Sequence, residues 1–257
     1  EVQDFGRGLP VDYNSKEQRF NWELVFNELY AGGKYDTNEG GSYEYSLGLN
    51  GLGLCATQYA SEYMEAEIHS GGYRYYLTFK HGEPVGEMIK EEYFKKDTGT
   101  RIKWRPDLKV FTEIDVPVSY FTETLKRQSV VNSGIRFIFK NQLTETKFET
   151  TEFLYENGIQ DYVQEYCGED AFTSIQVWHT EKRGRDRRDK PEYKVLINCA
   201  LCFSNKKQLK EYYHNSSFLE YGGAPEKAVR SAFVSQTDSY LKQNNKYLKS
   251  DGKISFQ

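Results

Sequence analysis

Apolar side chains recur every three or four positions in several stretches of the chain, the spacing that places them on one face of an α-helix. The predicted helices cover residues 18–30, 54–64, about 119–131, Ile159–Tyr166 and about 225–243. In the first of them Trp22, Val25, Phe26 and Leu29 are expected to face inward, and in the third Phe121 and Leu125. The stretch 32–42 is rich in glycine and asparagine and predicts a loop.

Other runs alternate apolar and polar residues, or are apolar throughout, which is typical of β-strands. The predicted strands are Glu65–His69, Tyr73–Lys80, Thr100–Trp104, Gly134–Phe139, Lys147–Leu154, Ser174–His179 and Tyr193–Phe203, with Val2 at the end of another. The last of these runs is apolar enough to predict a buried strand. Predicted helices and strands are mixed along the chain, and the predicted fold class is α+β. We place a domain boundary near residue 153, which gives domains 1–153 and 154–257.

Composition narrows the class of protein without identifying it. The 257 residues are 38% hydrophobic and 28% charged, an ordinary balance for a soluble globular protein, and two domains suit this length. The sequence shows neither a signal peptide nor an apolar run of the roughly 20 residues that span a membrane. The net charge of −4 does not indicate a nucleic-acid-binding surface over the whole chain.

One local run of basic residues leaves two interpretations open. It consists of Lys182, Arg183, Arg185, Arg187, Arg188 and Lys190, interrupted by two aspartates. A solvated hairpin tip would carry such a run, and so would a surface that neutralises DNA phosphates.

The cysteines and histidines do not predict a metal site. Cys199 and Cys202 have the spacing of half a zinc site, but no second pair completes it. We therefore expect Cys55, Cys167, Cys199 and Cys202 to be reduced and mainly packing residues of a cytoplasmic protein.

Three glycine-centred strings carry candidate chemistry. Asp4-Phe-Gly-Arg-Gly-Leu-Pro-Val offers a carboxylate beside a tight turn, where a planar group can approach the backbone. Ala31-Gly-Gly-Lys-Tyr-Asp places two glycines before a lysine, which suits an anion-binding loop. Ser46-Leu-Gly-Leu-Asn-Gly-Leu-Gly precedes a predicted helix, so its amides favour a phosphate. Each string alone is also compatible with an ordinary structural turn.

Taken in order, these strings resemble the ATPase region of the B subunits of bacterial type II DNA topoisomerases, the family of gyrase B and its topoisomerase IV counterpart. The first is similar to the family's DNGRGIPV, the second with Leu29 and Tyr30 to LHAGGKF, and the third to SGGLHGVG. Asp97-Thr-Gly-Thr with Trp104-Arg-Pro-Asp, Val130-Val-Asn-Ser-Gly-Ile and Tyr155-Glu-Asn-Gly-Ile resemble three further family strings. The resemblance covers most of the chain and is weaker after residue 167. An alternative is a DNA mismatch-repair clamp of the wider GHKL ATPase class. The Ala-Gly-Gly-Lys-Tyr loop argues against it, because such clamps lack this loop.

The resemblance implies a fold and a nucleotide site. The fold would be an incomplete GHKL (Bergerat) sandwich followed by a ribosomal-S5-like transducer domain. Asp4 would accept the adenine amino group, supported by Thr100, while Arg7, Gly8, Pro10 and Tyr43 would line the base pocket. Lys34 and the amides of Gly48, Leu49, Asn50, Gly51, Leu52 and Gly53 would hold the phosphates.

The resemblance also implies partners and an activity. These are ATP with Mg²⁺, DNA bound by the intact holoenzyme, a topoisomerase A subunit, and a second copy of the B subunit. ATP binding would close a dimeric clamp that takes part in DNA strand passage. The family's general-base glutamate and magnesium-binding asparagine would precede Asp4, so the sequence predicts a chain truncated at both ends, with no catalytic residue and little ATPase activity. The alternative is a non-catalytic nucleotide- or DNA-binding module derived from the same family.

Departures from the family pattern mark a divergent member. Phe5, Leu47 and Asn50 replace an acid or amide, a glycine and a histidine. Glu44 stands where the family has lysine, and Glu220-Tyr-Gly-Gly-Ala-Pro replaces EGGTH. A glutamate near the phosphate lid is expected either to weaken phosphate affinity or to point outward.

Overall fold

The computed structural model of the protein describes residues 1–31, 51–185, 187–190, 192–248, 250–252 and 254–256. The chain forms two compact units, Glu1–Val116 and Pro117–Gln257. Both contain helices and antiparallel strands, so the predicted α+β class is confirmed. The contacts divide the chain well before residue 153, because the helix and hairpin between Val118 and Phe153 group with the second unit. The boundary at 153 therefore stays a prediction about family domains.

The first unit is built on an antiparallel sheet covered by helices on one face. Its strands are Val2–Gln3 (β1), Tyr13–Asn14 (β2), Arg19–Phe20 (β3), Ser61–Ser70 (β4), Tyr73–Lys80 (β5), Glu83–Pro84 (β6), Ile89–Glu92 (β7) and Gly99–Pro106 (β8). Its helices are Asn21–Asn27 (α1) and Gly53–Tyr59 (α2). The strand order in the sheet is β1-β8-β4-β5-β6, with β7 also paired to β5, whereas β2 and β3 form a separate pair.

The two faces of this sheet differ in chemistry because side chains alternate along each strand. On β4 the even-numbered Met64, Ala66 and Ile68 are fully buried and pack with Phe26 and Phe79, whose rings stack at 5.1 Å. On the opposite face the acidic residues of β4 lie across from the basic residues of β8, as in the registers Glu65↔Lys103 and Glu67↔Arg101. The apolar face forms the core, and the charged face is left to solvent.

The second unit has a smaller buried core. Its elements are the helix Val118–Val131 (α3), the strands Phe137–Gln142 (β9) and Phe148–Phe153 (β10), the helix Ile159–Cys167 (α4), the 3₁₀ turn Gly168–Asp170, the strands Gln176–Gly184 (β11), Tyr193–Leu201 (β12), Tyr213–His214 (β13) and Ser217–Phe218 (β14), and the helix Gly223–Gln243 (α5). The strands form three antiparallel pairs, β9–β10, β11–β12 and β13–β14. Val130 and Tyr155 are its buried apolar residues within the described part of the chain.

Two family-like strings of this unit meet at one carbonyl group. The backbone oxygen of Tyr155 accepts the N–H groups of Gly134 at 3.0 Å and of Gly158 at 3.1 Å. Gly158 has φ +57°, and a Cβ there would lie 2.9 Å from the carbonyl oxygen of Val130. Glycine is therefore required where α4 begins, because a larger residue would be both strained and too close to α3.

Three predictions from the sequence are wrong in detail. The helix predicted over 54–64 ends at Tyr59, because residues from Ser61 onward alternate in burial and pair with β5 and β8. The inward orientation predicted for Leu29 and Phe121 is not observed, because Leu29 lies beyond the end of α1 and is 49% exposed, and Phe121 in the first turn of α3 is 40% exposed. The predicted buried strand is β12, yet Val195, Leu196 and Ile197 are exposed, since β11 is its only sheet partner among the described residues. The predicted loop 32–42 lies outside the described residues.

Candidate functional site

The candidate site is organised by the backbone contact between Asp4 and Thr100. Asp4 follows β1 directly and its N–H donates to the carbonyl oxygen of Thr100 at 2.9 Å. In return the N–H of Thr100 donates to Oδ1 of Asp4 at 3.2 Å, and the N–H of Gly6 donates to the same oxygen at 2.9 Å. Within the described residues Oδ2 of Asp4 has no hydrogen-bond partner, and Asp4 is exposed. One carboxylate oxygen fixes the turn while the other can accept a donor from a ligand.

The side chain of Thr100 holds the turn that follows Asp4. It is buried, and its Oγ1 accepts the N–H of Leu9 at 3.0 Å. Two residues earlier, the hydroxyl of Thr98 donates to the carbonyl oxygen of Gly6 at 2.6 Å. The segment from Asp4 to Leu9 is thus tied to the start of β8 at three points. The sequence motif pointed to Thr100, but nothing in the periodicity indicated the parts of Thr98 and Leu9.

Two glycines make this close approach possible. A Cβ at Gly8, where φ is +84°, would lie 2.7 Å from the carbonyl oxygen of His69. A Cβ at Gly99, where φ is +149°, would overlap the carbonyl oxygen of Asp4. Both positions need glycine on conformational and steric grounds, so these glycines bring the Asp4 turn against β4 and β8.

The second part of the predicted site is the glycine segment before α2. Gly51 has φ +60°, and α2 begins at Gly53, with Ala56 donating its N–H to the carbonyl oxygen of Leu52 at 2.9 Å. Cys55 behind it is fully buried, and burial, with a smaller contribution from the charge of Glu28, raises the pKa of its thiol. A raised thiol pKa disfavours the nucleophilic thiolate, so Cys55 is a packing residue, as predicted.

The structure describes some of the predicted site residues, in two groups, and does not describe the others. Asp4, Arg7, Gly8 and Pro10 lie on one turn, and Thr100 lies against its first residue. Gly51, Leu52 and Gly53 form the approach to α2. The remaining predicted residues fall outside the described residues, and these are Lys34, Tyr43, Gly48, Leu49 and Asn50.

A cavity of about 300 Å³ lies beside Asp4 and Thr100. Its other walls come from the charged face of the sheet and include Glu67, His69 and Arg101. The cavity shares Asp4 and Thr100 with the predicted base pocket, whereas Arg7, Gly8 and Pro10 are not part of its lining. The described residues contain no group of three or more His, Cys, Asp or Glu side chains that could hold a metal ion.

The basic run lies at the tip of the β11–β12 hairpin. Its guanidinium and ammonium groups are only partly neutralised, since Arg185 pairs with Glu192 at 3.0 Å and Arg187 with Asp189 at 3.8 Å. On one face of the hairpin Arg183 stands directly opposite Lys194. Lys194 also pairs with Glu181 at 3.3 Å, which offsets part of the repulsion between these two like charges. None of the helices formed by the described residues has the length and apolarity of a membrane-spanning helix.

Comparison with known sequences identifies relatives along nearly the whole chain. A family model for DNA gyrase B matches residues 158–257, the part where the quoted strings are fewest. The chain is 29% identical to the gyrase B protein of Mycoplasmoides gallisepticum over 266 residues, which cover 99% of this chain and 39% of that protein. It is 28% identical to the gyrase B protein of Thermotoga maritima, covering 98% of this chain and 38% of the relative. The chain therefore spans about two fifths of the length of these relatives.

Solved structures show the same fold. The ATPase domain of Thermus thermophilus gyrase B, solved with an aminocoumarin, matches 97% of this chain and 61% of that one, with a TM-score of 0.67 and 19% identity. The topoisomerase IV ATP-binding domain of Francisella tularensis matches with a TM-score of 0.65 and 21% identity, covering 97% and 62% of the two chains. Sequence relatives over nearly the full chain and this shared fold agree with the ordered strings from Asp4 to Tyr155. The chain is therefore similar to the B subunits of type II DNA topoisomerases along nearly its whole length.

Proposed function

We propose that this chain binds ATP as the clamp portion of a type II DNA topoisomerase B subunit, which couples ATP binding and hydrolysis to DNA strand passage. In this proposal residues 1–153 form a GHKL ATP-binding domain and residues 154–257 form a ribosomal-S5-like transducer domain. Similarity to gyrase B proteins along nearly the whole chain supports this assignment, as do the two structural neighbours, which are described as an ATPase domain and an ATP-binding domain.

The observation that carries the proposal is the divided use of the Asp4 carboxylate. Oδ1 is held by two backbone N–H groups, so the orientation of the side chain is set before a ligand arrives. Oδ2 remains an acceptor for the exocyclic amine of adenine. A charged acceptor of fixed orientation makes a stronger hydrogen bond than a mobile neutral one, which favours adenine over bases that present a carbonyl at that position.

The phosphates would be bound by the glycine segment and Lys34. Gly51 to Gly53 supply backbone amides at the start of α2, and the resemblance adds the amides of Gly48 to Asn50. Tyr43 would instead reach the adenine base. Magnesium is proposed only from the family resemblance, since the described residues offer it no ligand group. No step in this proposal depends on a residue of the chain holding the metal.

Nucleotide competition tests the proposal. A labelled ATP analogue should bind at one site per chain and be displaced by ATP and ADP, while GTP should compete poorly because its carbonyl cannot donate to Asp4. Equal competition by GTP would contradict a site organised by Asp4. Saturable binding without phosphate release fits both the clamp and the alternative function, a non-catalytic nucleotide-binding module, because no catalytic residue is predicted within the chain.

DNA is the second proposed partner, and the tip of the β11–β12 hairpin is the proposed contact surface. The segment from Glu181 to Lys194 carries seven Lys or Arg residues and four acidic residues, a net charge of +3 in a chain of net charge −4. The side chain of Arg187 is 69% exposed, and Arg183 faces Lys194 across the hairpin. This arrangement favours the DNA-contacting interpretation over a merely solvated tip. A topoisomerase A subunit and a second copy of the B subunit are the other partners proposed from the family.

A further inference from the structure

Two cysteines of the second unit lie within reach of each other. Cys167 is the last residue of α4, and Cys202 follows the last residue of β12. Their Sγ atoms are 3.3 Å apart, and the thiol of Cys202 donates to the sulfur of Cys167. Both thiols are free and only partly buried, so a small oxidant can reach them. A disulfide requires an S–S distance of about 2.05 Å, a short movement from this geometry.

Four contacts that do not involve sulfur hold the two cysteines in place. The hydroxyl of Tyr166 donates to the carbonyl oxygen of Gln208 at 2.9 Å, and Lys206 pairs with Asp170 at 2.8 Å. The N–H of Phe172 donates to the carbonyl oxygen of Phe203 at 2.7 Å. The N–H of Phe203 in turn donates to Oγ1 of Thr173 at 3.2 Å. The end of α4 and the chain after β12 are therefore fastened on both sides of the thiol pair. The proximity of the two sulfurs is a property of the fold and not of a single flexible side chain.

The other interpretations of this pair are weaker. A metal site needs further ligands, and no group of three suitable side chains exists within the described residues. Packing alone describes Cys55, which is fully buried and has no sulfur neighbour among the described residues, but it does not describe two accessible thiols in contact. Cys199 is close in sequence, yet it lies within β12 opposite Trp178.

We propose that Cys167 and Cys202 form an oxidative modification site, a dithiol that a hydroperoxide converts into an intramolecular disulfide. The thiolate of Cys167 attacks hydrogen peroxide, the O–O bond breaks, and Cys167 sulfenic acid forms with release of hydroxide. The thiol of Cys202 then attacks the sulfenic sulfur, the S–S bond forms, and the S–O bond breaks as water leaves with the proton of Cys202. The hydroxide takes up the proton lost by Cys167, so two thiols and one peroxide give one disulfide and two waters.

The order of attack follows from the hydrogen bond between the thiols. Burial, followed by the hydrogen bond to Cys167, raises the pKa of Cys202 to about 11. Cys202 therefore stays protonated and donates, whereas Cys167 accepts the hydrogen bond and is the sulfur that attacks the peroxide first. The product would join α4 to the end of β12 and close a loop that contains the β11–β12 hairpin. Such a loop closure stabilises a fold by restricting its unfolded chain.

The site is independent of the proposed nucleotide function and is tested on the full 257-residue chain. The chain is treated with hydrogen peroxide, remaining thiols are alkylated, and the disulfide-linked peptides are mapped by mass spectrometry without reduction. We expect loss of two alkylatable thiols, a single linked pair of peptides containing Cys167 and Cys202, and a higher melting temperature that a reductant reverses. Cys199→Ala is the matched control and should leave all three results unchanged.

Two variants separate the chemistry from the fold. Cys202→Ala should accumulate sulfenic acid at Cys167, which a dimedone probe traps, and Cys167→Ala should give no linked peptide while keeping the circular dichroism of the wild type. Linkage of Cys199 in place of either residue, linkage between two chains, or direct oxidation of Cys167 to sulfinic acid in the wild type would overturn the proposal. If an alanine variant does not fold, the peptide map of the wild type still decides.

Discussion

The N–H of Thr100 donates to the carboxylate of Asp4 at 3.2 Å, while the N–H of Asp4 donates to the carbonyl oxygen of Thr100 at 2.9 Å. The two residues are 96 positions apart in sequence, and this reciprocal contact joins the first strand of the chain to β8. It gives the candidate adenine-binding carboxylate a fixed orientation without a salt bridge. The consequences of disturbing it can be measured as stability and as nucleotide affinity.

Replacing Gly99 with alanine should break this contact. Its Cβ would overlap the carbonyl oxygen of Asp4 in a backbone conformation that L-residues rarely adopt. We expect a loss of about 3 kcal/mol or more in the free energy of unfolding, together with loss of nucleotide binding. Gly71→Ala is the matched control, because φ is +60° there and no atom lies within 4 Å of the added Cβ, so it should cost only about 1 kcal/mol. Urea denaturation of both variants checks this, and equal losses would contradict the steric argument.

Replacing Thr100 with valine should separate its hydroxyl from its shape. Valine keeps the volume but leaves the N–H of Leu9 without its acceptor, at a cost of about 1–3 kcal/mol. Thr100→Ser retains the acceptor and loses only a buried methyl group, so it should cost about 1 kcal/mol. Denaturation midpoints of the three proteins give the comparison. A valine variant as stable as the serine variant would mean that water replaces the hydroxyl.

The sequence predicts elements well where local periodicity and tertiary environment agree. The strand Tyr73–Lys80 and the helix spanning about 119–131 are reproduced closely, because one face of each packs inside its unit. The helix predicted over 54–64 failed at Ser61, where long-range pairing with β8 outweighed the local helical spacing. Burial was predicted for Val195, Leu196 and Ile197, but all three are exposed. An apolar run predicts burial without showing whether a second layer of structure covers the strand.

The candidate site was only partly accessible from the sequence. The resemblance named Asp4 and Thr100, but periodicity could not pair residues 96 positions apart. The resemblance implies that Thr100 supports Asp4, and in the structure it does so through its backbone N–H. Its hydroxyl oxygen instead accepts the N–H of Leu9. Thr98 and Gly99 escaped prediction as positioning residues because their effect depends on a turn brought close by the fold.

Alkaline pH should destabilise the second unit before full denaturation. Burial, and then the charge of Glu211, raises the pKa of Tyr162 to about 12 from an ordinary value of 10.0. A pKa that is higher in the folded state means that the stabilisation is complete below pH 10.0 and is lost as the pH rises through about 12. Urea midpoints measured across this window should fall with pH, and Tyr162→Phe should make the decline shallower.

The control for this effect is Tyr221→Phe, since Tyr221 is 88% exposed and should leave the pH dependence unchanged. Tyr155 and Tyr213 also have raised pKa values, each mainly through burial, so some decline should persist in Tyr162→Phe. A wild-type midpoint that stays constant across the window would contradict the assignment.

Neutralising the hairpin tip should weaken DNA binding in a salt-dependent way. The double variant Arg187→Gln, Arg188→Gln removes two cations from the tip, so duplex affinity should fall at low salt. The slope of log K against log salt should decrease in magnitude by about 0.9 for each phosphate that the variant no longer neutralises. Lys206→Gln with Lys207→Gln makes the same charge change elsewhere in the second unit and should have little effect. Equal losses in both double variants would show that only net charge matters.

The central claim is that Asp4 organises an adenine site, and calorimetric titration of a non-hydrolysable ATP analogue with Mg²⁺ tests it most directly. The wild type should bind one analogue per chain and should also bind ADP. Asp4→Ala should abolish that binding, whereas Asp12→Ala, which removes another exposed carboxylate from the same segment, should retain it. Retained binding in Asp4→Ala, or no binding by the folded wild type, would contradict the account.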